Sequence, residues 1–301
     1  MTAFLFSGQG SQYSGMGKEL LDANPDLAYI YDKASEILGY DLKKVIFEGT
    51  DEELAQTKNS QPAIMATSLL CFEAAKKKGI TFDAVAGHSL GEYAAMVASG
   101  VLSLEDGFKV IKARAAAMDK AGQDTEGAMY AIMKMSPEDI EKVCESVDGY
   151  VVPVNYNSPM QTVIAGEKAA CEKAAAVFAE KKARAVPLKV SAAFHSKLME
   201  GASEEFYDAV KDVKFSEPTV TFYSNVTGAK LDDFSDMPTL LKMHMVSPVR
   251  FTSELNAMKD SGITKFVELG PGKVLTGLVK KTLDGVEAFN AEDVKTLEAA
   301  V

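Results

Sequence analysis

The chain has no tryptophan, and only three cysteines and three histidines among its 301 residues. Cys71, Cys144 and Cys171 are odd in number, far apart and set in apolar helical patterns. That spacing excludes a disulfide framework and a metal site, and it points to core thiols in a reducing compartment. No apolar run reaches the ~18 residues that would span a bilayer, so no membrane partner is expected. The opening Met1-Thr2-Ala3-Phe4-Leu5-Phe6 lacks a basic region and is too short for a signal peptide. It reads as a first strand, and the protein as cytoplasmic. Positive charge is also short: 32 Lys and Arg against 43 Asp and Glu leave a net −11, which argues against nucleic acid as a partner. An acidic partner would have to be met by a local basic patch. Internal repeats, low-complexity tracts and flexible linkers are absent. What is present, 47% hydrophobic and 25% charged, is ordinary for a globular chain that builds one large core or a large domain with a smaller insert.

The most informative stretch runs from Phe82 to Ser99. Phe82 to Ala86 read as a short buried strand and Gly91 to Ser99 as a helix. Between them stands Gly87-x-Ser89-x-Gly91, the pattern of a nucleophile elbow. A serine on a strand-to-helix turn is pushed into the open, and its neighbours must lack bulk where the strand and helix close up. The amides that follow then point at any charge developing beside it. Three fixed positions are a weak signal alone; their place between a strand and a helix gives them weight.

A serine hydroxyl needs a neighbour that accepts its proton. His88 adjoins Ser89 on a sharp turn, where adjacent side chains diverge. His244 lies in an apolar helical setting typical of a core histidine. His195 follows the inserted segment described below, where a Ser-then-His chain order puts the base, and it is preferred to His244. The group that orients it stays open among Asp236, Glu254, Glu268 and a backbone carbonyl. A Ser–His dyad suits a thioester better than a peptide, because the thioester is intrinsically more reactive.

Near the N-terminus the strand Ala3–Phe6 enters Ser7-Gly8-Gln9-Gly10-Ser11-Gln12. Neither G-x-G-x-x-G nor the P-loop pattern fits, so phosphate cradling is set aside. The two glycines instead let Gln9 approach a reacting centre, or form a plain turn. Ser60 to Gly79 reads as a helix capped by Ser60 with Pro62 in its first turn. Asp106 to Ala121 reads as another, carrying Arg114, which is as readily a solvated surface group as a functional one. A change of rhythm at Gln123-Asp124-Thr125-Glu126-Gly127 opens a run of strand, helix, strand, strand, helix and strand ending at Val190: the split βαβ order. The organisation expected is a larger α/β domain over 1–123 and 191–301, resuming at Ser191, with a small domain over 124–190. Val220 to Tyr223 and Lys265 to Leu269 supply further strands to the larger one.

These residues carry a resemblance. The sequence resembles the malonyl-CoA:acyl carrier protein transacylases of fatty-acid synthesis and the related acyltransferase domains of polyketide synthases. The likeness runs end to end, through Gly8-Gln9-Gly10-Ser11-Gln12, Gln61-Pro62-Ala63, Gly87-His88-Ser89-Leu90-Gly91, Arg114 with Met118, and Asn155-Tyr156-Asn157-Ser158-Pro159. It continues through Phe194-His195-Ser196, Ser247-Pro248-Val249-Arg250-Phe251 and Glu268-Leu269-Gly270-Pro271-Gly272. It implies an α/β-hydrolase-like large subdomain with an inserted ferredoxin-like small one. It also implies that Ser89 takes the malonyl group, with His195 as base and then acid. The amides of Gln9 and Leu90 form the oxyanion hole, Arg114 clamps the malonyl carboxylate, and Gln61, Met118, Asn157 and Phe194 line the pocket. The carbonyl of Arg250 orients the histidine. The implied reaction is ping-pong, from malonyl-CoA to the phosphopantetheine thiol of acyl carrier protein, with no metal or redox cofactor and a monomeric enzyme. A polyketide acyltransferase, a thioester hydrolase using the same dyad and a non-catalytic scaffold remain as alternatives.

Overall fold

Ala3, Phe4, Leu5 and Phe6 are all completely buried. A strand achieves this only inside a sheet that is covered on both faces. The computed structural model describes residues 1–124, 126–190 and 192–301. Thr125 and Ser191, close to the expected domain junctions at 123/124 and 190/191, lie outside them. Among the described residues ten strands form two sheets. In chain order they are β1 (Thr2–Phe6), β2 (Ala84–Gly87), β3 (Gly127–Met133), β4 (Val151–Ser158) and β5 (Gln161–Glu167), followed by β6 (Arg184–Pro187), β7 (Thr221–Ser224), β8 (Ala229–Lys230), β9 (Lys265–Leu269) and β10 (Glu287–Ala291).

The larger sheet has the order β10-β9-β1-β2-β7-β8. Its first five strands run parallel, and the short β8 is antiparallel at the edge. β1 thus lies in the interior, with helices on the two faces burying Phe4 and Phe6 in one apolar cluster and Ala3 and Leu5 in another. The smaller sheet, β4-β5-β3-β6, is wholly antiparallel. With the helices Pro137–Ser146 and Lys168–Glu180 on it, it encloses its own core of Ile132, Ile140, Val143, Val151, Ile164 and Phe178. This is the ferredoxin-like order, set into an α/β-hydrolase-like body. The small sheet is tied to the larger body by the segment between two of its helices: Val249 donates to the carbonyl of Val154 at 2.8 Å and accepts from the amide of Tyr156 at 2.9 Å.

Some boundaries differ from the sequence reading. The helix expected from Ser60 begins at Thr57 and runs to Lys77, so Ser60 is buried inside it and caps nothing. Pro62 then lies beyond the first turn and cannot donate to the carbonyl four residues back. That carbonyl, of Lys58, accepts from the Tyr40 hydroxyl at 3.5 Å instead. β6 stops at Pro187, short of Val190, because the amide of Val190 turns back to the carbonyl of Leu188. Cys71, Cys144 and Cys171 are buried and free, and burial pushes each thiol up to about 12.

The elbow follows from this packing. β2 ends at Gly87, level with Phe6 of β1, and the helix Gly91–Ala98 starts four residues later. A Cβ on Gly87 would lie 2.0 Å from the carbonyl carbon of Gly91, and one on Gly91 would lie 2.1 Å from the carbonyl oxygen of Phe6. Neither backbone can retreat without opening the sheet. Gly91→Ala is therefore expected to cost about 3 kcal/mol or more, or to prevent folding. Gly277→Ala, inside the helix Val274–Thr282 with nothing within 4 Å of the added Cβ, should stabilise by up to about 1 kcal/mol. Denaturant midpoints of the two variants check both signs.

Candidate active site

Ser89 stands at the carboxyl end of β2, where ligands of open parallel sheets are held. Its φ is 53°, in the left-handed region that non-glycine residues enter only at a cost. The turn is closed by bonds from the Gly91 amide to the His88 carbonyl and from the Glu92 amide to the Ser89 carbonyl. The amides of Leu90 and Gln9 have no acceptor among the described residues.

The histidine arrives from the other side. His195 also has a left-handed φ, 61°, and the Ser196 hydroxyl bonded to the Ala193 carbonyl at 2.6 Å fixes the bend. Its Nε2 is 2.8 Å from Ser89 Oγ, and its Nδ1 is 2.9 Å from the carbonyl oxygen of His244. A carbonyl only accepts, so Nδ1 carries the proton and Nε2 is left bare towards the serine. Ser89 Oγ also accepts from Arg114 Nη2 at 3.0 Å, which leaves its own hydrogen for the imidazole. That is the tautomer and the direction a general base requires.

The orienting group is not the one expected. The Arg250 carbonyl accepts from Glu254 at 3.1 Å, opening the helix Phe251–Asp260, and is not the acceptor of Nδ1. His244 lies in the last turn of the helix Met237–Val246, where carbonyls have no intrahelical donor. A free carbonyl there meets Nδ1 without cost to the helix. The carboxylates considered for this role are engaged elsewhere: Asp236 caps the same helix at Thr239, Glu268 accepts from Leu275 and Thr276, and Glu254 accepts from Asn225.

Arg114 is fully buried and forms no ion pair among the described residues. Nη1 donates to Gln61 Oε1 at 2.9 Å, Nη2 to Ser89 Oγ, and Nε has no partner. The guanidinium carbon is 5.0 Å from the centre of the Tyr93 ring. Gln61 Nε2 in turn donates to Gln9 Oε1 and Met118 Sδ, both at 3.3 Å. Gln9, Gln61, Met118, Arg114 and Ser89 are thus brought into one connected group. Asn157 joins it indirectly, through a 2.7 Å bond between its Oδ1 and His88 Nε2. Phe194 and Met118 line a cleft of about 460 Å³ that also involves Thr57, Leu188 and Lys189.

Burial, with the Arg114 charge as a second cause, lowers the pKa of His195 from 6.5 to about 3. The imidazole is therefore neutral, and able to accept a proton, well below the range of an ordinary histidine. Sequence reasoning missed the residues behind this group: Asn225, which accepts from the Ser89 amide at 2.8 Å, and Glu92, which accepts from Ser224 Oγ and the Asn225 amide. The only trace was the turn-like Ser224-Asn225-Val226-Thr227-Gly228 after a strand. The rate constant for acylating Ser89 should stay flat as the pH falls through ~6.5, where an unperturbed histidine would become half protonated. Rapid-quench acylation across that range checks it.

Three comparisons with known proteins bear on this geometry. The sequence model of the family described as acyl transferase domain matches residues 3–300. A malonyl CoA-acyl carrier protein transacylase of Bacillus subtilis strain 168 is 42% identical over 303 aligned positions, covering 99% of this chain and 96% of that protein. A transacylase of the same name from Clostridium perfringens superposes with a TM-score of 0.95 at 37% identity, covering 99% of this chain and 95% of its own. A malonyl-transacylase solved in complex with a holo type II PKS acyl-carrier protein also gives 0.95, at 35% identity over 99% of this chain and 98% of its own. With likeness of sequence and of fold running along nearly its whole length, the chain belongs to the acyl transferase domain family.

Proposed function

We propose that the protein transfers a malonyl group from malonyl-CoA to the phosphopantetheine thiol of acyl carrier protein, supplying fatty-acid elongation through a malonyl ester on Ser89. The observation that carries this reading is Arg114, a buried guanidinium against the nucleophile with no carboxylate of the described residues in contact with it. An unpaired buried charge costs several kcal/mol, and a carboxylate on the acyl group supplies the missing partner through paired hydrogen bonds.

In the first half-reaction His195 Nε2 takes the Ser89 proton as Oγ attacks the thioester carbonyl. The unpaired amides of Gln9 and Leu90 are the donors available to the oxyanion. Collapse breaks the C–S bond, and the departing thiolate takes the proton from His195. The carrier's thiol then enters, gives its proton to His195, attacks the ester carbonyl and releases Ser89 Oγ, which is reprotonated by the same imidazole. The His244 carbonyl steadies the imidazolium without itself changing charge. No group beyond these side chains is called upon, and the thioesters bring their own leaving groups.

The cleft lined by Phe194, Met118 and Lys189 is the natural channel for a pantetheine arm. It borders both the larger body, taken as 1–123 and 191–301, and the smaller unit, taken as 124–190. Phe194 narrows the room for an α-branch on the acyl group. The protein is read as a cytoplasmic monomer; among the described residues no helix is long and apolar enough to cross a membrane. The structural neighbour solved with a polyketide carrier supports a second reading, in which the acceptor serves such an assembly line.

Incubation with malonyl-CoA should add one malonyl group to the wild type and none to Ser89→Ala, read by intact-protein mass spectrometry; loading of the alanine variant would refute the proposed nucleophile. Arg114→Ala should lower kcat/KM for malonyl transfer about 100-fold or more while acetyl transfer falls much less. Equal losses for the two donors would remove the carboxylate clamp.

A further inference from the structure

Asn225 follows β7 and is completely buried, on none of the elements that carry the nucleophile, the base or the guanidinium. Yet it touches two of their supports. Its Oδ1 lies 2.8 Å from the Ser89 amide and 3.1 Å from His244 Nε2. Its Nδ2 donates to the Gly87 carbonyl at 2.7 Å and to Glu254 Oε1 at 2.8 Å. The Ser89 amide can only donate, and the Gly87 carbonyl can only accept, so the orientation of the side-chain amide follows from its partners. His244 must then carry its proton on Nε2, with its Nδ1 facing the Tyr93 hydroxyl at 3.4 Å. The main chain of Asn225 is held as well: its amide donates to Glu92 Oε2 at 2.8 Å, and its carbonyl accepts from Arg250 at 3.1 Å.

We propose that Asn225 is a positioning residue for acyl transfer, its single side-chain amide setting the register between the turn that presents Ser89 and the helix end that orients His195. The turn side is direct: Oδ1 and Nδ2 grip the elbow at Ser89 and Gly87, on both sides of His88, and hold Ser89 at its left-handed φ. The histidine side runs through His244, whose ring is bonded to Asn225 and whose carbonyl receives His195 Nδ1–H. Nucleophile and base come from segments 106 residues apart in sequence, and their 2.8 Å approach depends on both being referred to one point. A misplacement of ~1 Å at such an approach costs about 100-fold in rate. Glu92, on the elbow helix, and Glu254, on the helix after Arg250, brace Asn225 from either side, so the amide has no slack through which to absorb a shift.

The proposal rests on Ser89 and His195 being nucleophile and base, and the test separates the two ideas. Single-turnover loading of malonyl from malonyl-CoA gives a rate constant, which reports geometry, and an amplitude, which reports the fraction of correctly folded protein. Asn225→Ala should lower the rate constant about 100-fold at near-full amplitude, with the concentration of malonyl-CoA for half-maximal rate changed by less than about 3-fold. Asn225→Asp keeps an oxygen for the Ser89 and His244 donors but loses the pair of donors to Gly87 and Glu254. It should fall about 10-fold, between the alanine variant and the wild type. If the alanine variant does not fold, the aspartate variant decides alone. A rate constant within about 3-fold of wild type, with losses only in amplitude or Tm, overturns the proposal. Loading that persists in Ser89→Ala would instead overturn the reading of Ser89, whatever Asn225 does.

Discussion

A guanidinium taken fully out of water has to be matched by something, and in this protein that requirement organises the site. Arg114 has one side-chain amide, one hydroxyl and one aromatic face around it, but no carboxylate in contact. Its helix, Leu104–Asp124, packs against the long helix Thr57–Lys77, which brings Gln61 to it. The same charge depresses His195 and stabilises any negative charge that grows on Ser89 Oγ. It also favours the ionised form of Glu92, whose burial pushes its carboxyl up to about 7. One cation thus acts on an imidazole, a hydroxyl and a buried carboxyl.

The site is assembled from places far apart in the chain because the parallel sheet gathers strand ends at one edge. β1 delivers the Gln9 loop, β2 the elbow and β7 Asn225. His195 comes instead from the segment returning from the small sheet, and its acceptor from the end of a helix. The bonds joining Val154, Tyr156 and Val249 tie that region to β4. The small sheet is therefore anchored a few residues from the helix end that orients the imidazole.

The elbow was legible in the sequence because its chemistry is local: a strand, two glycines that the backbone contacts demand, a serine and a helix. That His195 would be the histidine beside Ser89 was legible from chain order and from the settings of His88 and His244. The split βαβ order was legible from period and turn residues. The carbonyl partner of His195 was not, since any residue has a carbonyl and only the helix end at Val246 shows which one is free. Asn225 was not, because a lone asparagine after a strand reads as a turn, and its four side-chain bonds join segments distant in sequence. Ser60 misled in the opposite way. A good capping residue before a proline sits inside a helix that starts at Thr57, and Tyr40 reaches the carbonyl that Pro62 leaves without its helical donor.

The three cysteines bear on fidelity. A protein that handles thioesters and releases free thiols meets a standing hazard, since any thiolate of its own could intercept the acyl group and hold it out of turn. Cys71, Cys144 and Cys171 are sequestered in apolar cores with their thiols pushed up to about 12, so none offers a thiolate at neutral pH. In the proposed reaction the acyl group therefore rests on an oxygen, that of Ser89, and meets no thiolate of the described residues.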